Sequence, residues 1–263
     1  MRQASGSTVR CSPSLRFESM NSVARFAQWA GGGLLSLCFP ACCGICKEAT
    51  EGDCCLCEGC AEDVERIREP RCERCSFPFH GSITRAFTCA QCEQRELHFE
   101  CAVACFVSGG PVRDFIHGFK YLRQTHLRRT LAAWLAETLS DSRITARPFD
   151  AFVPVPLHHV RFREREFNQA EVLAELIAPQ AGKPVWNALR RIRNTPTQTR
   201  LDREERAENL RGAFVVRQPA TVKGRHLLLV DDVFTTGSTV EECSRILLKA
   251  GAASVRVITV ARA

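Results

Sequence analysis

The sequence predicts an α/β chain, a mostly parallel sheet with flanking helices, preceded by a small module built on cysteines. Three observations carry this expectation. Strand-like and helix-like segments alternate from about residue 95 onward, Leu227–Val230 is a continuous apolar run, and fourteen of the sixteen cysteines fall from Cys38 through Cys105. An unbroken apolar run suits a strand covered on both faces, and strand–helix alternation is how parallel sheets are wound.

At 263 residues, 45% hydrophobic and 25% charged, the composition suits one ordinary domain plus a smaller one and excludes a fibre or a disordered chain. Residues 1–39 are expected to be a partly flexible segment. The apolar stretch from Val23 to Leu37 is broken by Arg25, Gln28 and Gly31–Gly33, short of the roughly 20 apolar residues of a membrane span. It also lacks the unbroken core of a secretory signal. Phe26, Trp29, Leu34, Leu35 and Leu37 read as a short docking stretch, and the expected location is the cytoplasm, without a transmembrane segment.

Residues 40–95 hold two pairs of Cys-x-x-Cys: Cys43 and Cys46 with Cys57 and Cys60, then Cys72 and Cys75 with Cys89 and Cys92. Two residues between thiols let one tight knuckle present both sulfurs to a tetrahedral ion while a second knuckle closes the far side. The spacing therefore predicts a double zinc ribbon with about two structural zinc ions, four thiolates to each. Disulfides are the alternative, and a chain without an export signal belongs in a reducing compartment. Cys42, Cys54 and Cys55 compete for places in the first ribbon, whereas Cys11, Cys38, Cys101, Cys105 and Cys243 lack paired spacing and read as small buried hydrophobes. Each four-thiolate site is net −2, so two of them bring the formal +7 down to about +3. The basic excess is thus weak evidence for a polyanionic partner.

The second domain is expected over 96–263. Glu100–Val107 reads as a strand ended by Gly109-Gly110-Pro111, with helices over Val112–Tyr121 and Leu127–Leu139. Ala151–Leu157 is a strand that Pro154 and Pro156 stop early. Asn168–Ala178 is a helix, Ala213–Val216 and Leu227–Val230 are strands, and a helix over Thr239–Ala250 leads to a final strand, Val255–Val260.

The decisive segment is Leu227-Leu228-Leu229-Val230-Asp231-Asp232-Val233-Phe234-Thr235-Thr236-Gly237-Ser238-Thr239. Ligands of open α/β sheets bind at the carboxyl ends of strands. Two carboxylates there can accept bonds from the vicinal hydroxyls of a ribose. A hydroxyl-rich bend opening a helix can cradle a phosphate monoester. A Walker loop is excluded, because no Gly-Lys-Ser/Thr follows a glycine-spaced loop.

This segment resembles the phosphoribosyl-pyrophosphate signature of type I phosphoribosyltransferases along all thirteen residues, and so implies a type I phosphoribosyltransferase-like domain. The resemblance implies that Asp231 and Asp232 hold the ribose hydroxyls as the catalytic pair. It also implies that Thr235, Thr236, Gly237, Ser238 and Thr239 bind the 5-phosphate, with Mg²⁺ accompanying phosphoribosyl pyrophosphate. Two further stretches narrow it to the ComF family of double-zinc-ribbon phosphoribosyltransferase-like proteins. One runs from Val153-Pro154-Val155-Pro156-Leu157-His158 through Arg161, Arg163 and Arg165 to Phe167-Asn168-Gln169-Ala170. The other runs from Thr195-Pro196-Thr197-Gln198-Thr199 through Leu201 and Arg206 to Asn209-Leu210-Arg211-Gly212-Ala213-Phe214. One departure is Glu166, where glycine is expected. Physiologically the resemblance implies natural competence, with a DNA-uptake helicase or single-stranded DNA meeting the ribbons. Phe77, Phe79 and Phe87 are the only stacking surface the second ribbon offers.

Taken on their own, Arg161, Arg163 and Arg165 are either pyrophosphate contacts just past a strand end or, alternating with Glu164 and Glu166, a solvated turn. Arg190, Arg191 and Arg193 read either as a mobile hood over the site or as a solvated loop. His158 and His159 read as structural histidines; Lys120 and Tyr121 end a helix from which they either reach the site or simply supply charge that suits the dipole. An enzyme of this kind displaces pyrophosphate from C1 with a nitrogen nucleophile; a non-catalytic uptake accessory or a sugar-phosphate sensor is the alternative. No residue set identifies the acceptor.

Overall fold

The computed structural model describes residues 42–50, 56–79, 81, 83, 86–122, 124–194 and 203–263. The apolar docking stretch, Cys11, Cys38, Cys54, Cys55 and Thr195–Thr199 lie outside them. The chain divides into two compact units, Met1–Val64 and Glu65–Ala263. No helix among the described residues is long and apolar enough to cross a membrane.

The smaller unit contains the first cysteine group. Its knuckle closes when Cys43 N–H donates to the Glu48 carbonyl at 2.7 Å and Lys47 N–H to the Cys43 carbonyl at 3.0 Å. That turn needs left-handed backbone at Lys47, φ 66°. The second half of the group sits at the start of a short helix, Glu58–Glu62, capped by the Cys57 sulfur.

The larger unit is built on a four-stranded parallel sheet in the order β1 (Ala102–Val107), β6 (Ser254–Arg262), β5 (His226–Phe234), β2 (Ala151–Pro154). All nine residues of β6 are buried, as expected of a central strand covered on both faces. The helix Gln169–Ala181, capped by Asn168, packs on β5 and β2, and Ser238–Lys249 lies against β5 and β6. The helix Gly110–Tyr121 buries Val112, Phe115, Ile116 and Phe119, each worth about 1.5–3 kcal/mol of transfer free energy.

The second cysteine group belongs to this larger unit because the chain around it completes the sheet. Glu65–Ile67 lines the outer edge of β1, with Val107 N–H donating to the Glu65 carbonyl and Ile67 N–H to the Cys105 carbonyl. The Ala102 N–H reaches Arg74 O inside the first knuckle at 2.8 Å, and Ser76 Oγ donates to Ala102 O at 2.9 Å. An edge that would otherwise present unpaired amides is thereby covered.

Three expectations need correction. The helix of Leu127–Leu139 is instead Arg128–Ala136 flanked by 3₁₀ turns. The strand around Ala213–Val216 is not part of the main sheet. As β4 (Phe214–Val216) it pairs antiparallel with β3 (Leu189–Arg191) in a separate two-stranded sheet. Three residues with one buried position cannot serve as a central strand. Lastly, β5 runs four residues past Val230, because β6 keeps pairing with it through Val233↔Ala261 and Phe234↔Arg262.

Candidate functional site

The acidic pair lies within β5, and what opens it is the retreat of β2. The two strands stay in register only to Pro154↔Val230, after which Val155 N–H donates to the Val230 carbonyl at 2.9 Å. Pro156 then has no N–H to give. Among the described residues, no strand pairs with the β2 side of β5 from Asp231 on, which leaves a free edge there.

Successive strand side chains face opposite ways. Asp232, 7% exposed, receives Lys120 Nζ at 2.7 Å from the end of the Gly110–Tyr121 helix. Asp231, half-buried, has the buried Cys243 and Arg191 among its electrostatic neighbours. Although they leave the strand on opposite faces, the two carboxyl groups come within hydrogen-bonding reach of each other, and Lys120 acts on both. Burial, and then the neighbouring Asp232 charge, push the Asp231 carboxyl up to about 7, against the pull of Lys120. The Asp232 N–H donates back to Asp231 Oδ1 at 2.9 Å. From sequence Lys120 is either helix-end charge or a residue that reaches the site; its pairing with Asp232 is not legible there, since 112 residues separate the two.

The bend follows directly. Gly237 has φ 78°, and a Cβ there would lie 2.4 Å from the Phe234 ring, so the position excludes side chains twice over. Thr236 Oγ1 and Ser238 Oγ are 3.0 Å apart and Ser238 N–H donates weakly to Thr236 Oγ1 at 3.4 Å. Among the described residues, the Thr236 and Gly237 amides donate to no protein acceptor. The twelve-residue helix Ser238–Lys249 begins here, with its positive end at the bend. Its two early acids are held away: Glu241 by His98, whose Nδ1 is 2.5 Å from it, and Glu242 by Gly212 N–H and Arg245.

The three arginines after β2 do not form a turn but a helix, His159–Arg165. Residues four apart share a helix face and residues two apart do not. Arg161 and Arg165 accordingly both raise the cost of charge on Arg191, whose guanidinium is depressed first by burial, while Arg163 is exposed on another side. Arg165 is anchored by Gln169 Oε1 at 3.1 Å and Tyr121 Oη at 3.0 Å. Arg191 is stacked on Phe214 in the small sheet. His158 caps the helix through Nδ1 and is packed on His159, a structural role; its pKa is lowered by burial and then by the charges of His159 and Arg191. Glu166 ends the helix with φ 69°, which accounts for the glycine expected there.

Both cysteine groups have the donor set for zinc. In each, four sulfurs lie within 4.8 Å of one another, and four thiolates at 2.3 Å from a tetrahedral ion are about 3.8 Å apart. The recorded Cys46–Cys57 and Cys75–Cys89 separations are 3.5 and 3.7 Å, near that edge length and far from a disulfide bond. Cys42 is exposed and stands outside the first group. In the second group Cys75 and Cys92 thiols donate to Cys72, holding it far down as a thiolate, while the bond to Cys72 raises Cys75 to about 11. In the first, burial raises Cys43 but backbone N–H groups of Cys57, Cys46 and Ile45 outweigh it and bring it to about 6. Cys101 and Cys243 are buried as expected and Cys105 half-buried, and burial lifts the Cys101 thiol to about 11. Of the aromatic rings in the second group, Phe77 lies against Arg262, and Phe79 packs on Phe87.

A phosphoribosyl transferase domain model matches residues 168–263. The DNA utilization protein YhgH of Salmonella typhi is 36% identical over 207 residues, spanning 77% of this chain and 88% of that protein. Competence protein F of Haemophilus influenzae is 33% identical over 217 residues, 79% and 90% of the two chains. Among solved structures, the glutamine phosphoribosylpyrophosphate amidotransferase of B. subtilis is similar at 20% identity and a TM-score of 0.37, covering 54% of this chain and 30% of that one.

Proposed function

The chain belongs to the ComF family, and on that footing we propose that it binds phosphoribosyl pyrophosphate with Mg²⁺ at the free edge of β5 and serves the handling of incoming DNA. The observation that carries the reading is the juxtaposition, within nine residues, of the Asp231–Asp232 edge and a bend with open amides. In this reading the carboxylates meet the ribose hydroxyls. The bend from Thr235 to Thr239 takes the 5-phosphate at the helix's positive end. Arg161, Arg165 and Arg191 face the pyrophosphate, where three mutually repelling cations gain most from a polyanion.

Zinc, two ions per chain, fills the cysteine groups in a structural role. Mg²⁺, when it accompanies the ligand, neutralises charge on the departing pyrophosphate. The chemistry open to such a ligand is displacement at C1. A nitrogen nucleophile bonds to C1 as the C1–O bond breaks, the electron pair leaves with pyrophosphate, and the nucleophile's proton passes to solvent. Pyrophosphate release, screened across nucleobases with Mg²⁺, tests turnover. Base-dependent release is the result expected of a transferase, and binding with no release under any base identifies a sensor or uptake accessory instead. Metal analysis should return about two zinc ions per chain; a folded, metal-free protein contradicts that assignment.

A further inference from the structure

Arg262 closes β6 and is 2% exposed, with Phe234 as its register partner in β5. Its Nη1 reaches the Phe234 carbonyl at 3.2 Å, the Thr235 carbonyl at 2.7 Å and, closer still, the Ala263 carbonyl. Its Nη2 reaches Gln91 Oε1 at 3.3 Å. The same guanidinium lies 4.9 Å from the Phe234 ring centroid and 5.3 Å from that of Phe77. Gln91 sits inside the second knuckle, between Cys89 and Cys92. The Phe77 carbonyl closes the first knuckle by accepting the Cys72 N–H at 2.8 Å. One buried cation thus touches both halves of the second cysteine group and the first carbonyls of the bend.

A second tie continues the row. Arg95, three residues past Cys92, donates to the Thr236 carbonyl at 3.3 Å. Three consecutive carbonyls, of residues 234, 235 and 236, are therefore held by two arginines in contact with or just past the cysteine group, the first carbonyl also by the Ala263 N–H. In a trans peptide the N–H points opposite to the preceding C=O. Fixing the Thr235 and Thr236 carbonyls in this way aims the Thr236 and Gly237 amides away from the cysteine group.

We propose that Arg262 is a positioning residue for the bend, and that through it zinc in the Cys72–Cys75–Cys89–Cys92 group and a phosphate monoester on the bend stabilise one another. This rests on the reading of the bend as a sugar-phosphate site. Zinc fixes the knuckles, the knuckles fix Phe77 and Gln91, and these fix the guanidinium that orients the bend. Coupling between binding sites is reciprocal, so a ligand on the bend must hold the metal more firmly by the same factor.

The test uses the full-length zinc-loaded chain carrying Cys43→Ser, which leaves the second group as the tight site, and ribose 5-phosphate as the probe. Binding is followed by calorimetry and zinc loss by transfer to a chromogenic chelator. Ribose 5-phosphate should slow zinc loss by about 5-fold or more. Arg262→Lys keeps charge and stem but offers a single nitrogen, so it cannot hold the bend carbonyls and Gln91 together as Nη1 and Nη2 do, and it should lose both that protection and a similar factor in affinity. Should Arg262→Lys not fold, Gln91→Leu, which removes the 3.3 Å bond between Arg262 and the knuckle, is read for the loss of protection alone. If the parent chain binds the probe while zinc loss stays unchanged, or Arg262→Lys retains full protection, the coupling is refuted and the site reading stands. If the parent chain does not bind the probe, the site reading falls and takes the coupling with it.

Discussion

Asp231→Asn should stabilise the ligand-free protein at pH 8 while removing its function. The carboxyl is raised from its ordinary 3.8 to about 7, by burial first and the charge of Asp232 second. Below about pH 4 both folded and unfolded chains hold the proton and the group contributes nothing. Between pH 4 and 7 the unfolded chain releases it and the folded chain keeps it, so folded stability falls as pH rises. Above about 7 the penalty is constant. Three pH units correspond to about 4 kcal/mol, which we discount to about 1–3 kcal/mol because the carboxyl retains some solvent and is coupled to its neighbours. Asn keeps the shape and the acceptor for the Asp232 N–H while never ionising. Urea unfolding of the parent and Asp231→Asn between pH 5.5 and 8.5 measures the difference directly, and comparing variants cancels the pH dependence of zinc binding. The gap in favour of Asn should widen up to pH 7 and level off by pH 8. A variant less stable than the parent at pH 8, or a gap independent of pH, refutes the burial argument. Affinity for phosphoribosyl pyrophosphate should rise across the same window in the parent, since the ionised carboxylate is the form that accepts hydroxyl bonds.

Lys120→Met removes the partner of Asp232, which is buried, and should cost about 1–3 kcal/mol in urea unfolding while moving the Asp231 titration still higher. Gly237→Ala meets both a left-handed φ and the Phe234 ring; we expect about 1–3 kcal/mol of destabilisation and loss of ribose 5-phosphate binding by calorimetry. Glu166→Gly relaxes the left-handed helix end and should raise the melting temperature slightly, a gain of up to about 1 kcal/mol. A lower melting temperature would show that Glu166 makes contacts that outweigh its backbone strain.

Much of this molecule is legible in one dimension because its signals are local. Leu227–Val230 needs only its own composition to be a covered strand, and the four Cys-x-x-Cys pairs need only their spacing. Even the expected glycine at 166 marks a real left-handed position. What sequence reasoning missed is non-local. Arg161 and Arg165 separate from Arg163 only once the segment is helical, and an arginine-rich run with alternating glutamates gives no clear period. The extent of β5 past the acidic pair depends on β6 continuing beside it. Arg262 and Lys120 carry no motif at all; their partners lie at 91, 234 and 235 for the first and 232 for the second, so only the folded chain reveals them. The second cysteine group looked like a separable module by composition, yet Arg74 and Ser76 bond to β1, and the group packs as part of the sheet's edge.

The central claim is that the free edge of β5 and the bend after it hold one phosphorylated ribose. Calorimetric titration of the zinc-loaded chain with phosphoribosyl pyrophosphate and Mg²⁺, beside the Asp231→Asn, Asp232→Asn double variant, tests it most directly. Saturable binding by the parent and none by a folded double variant of equal zinc content is the predicted outcome; equal affinity in the two contradicts the account.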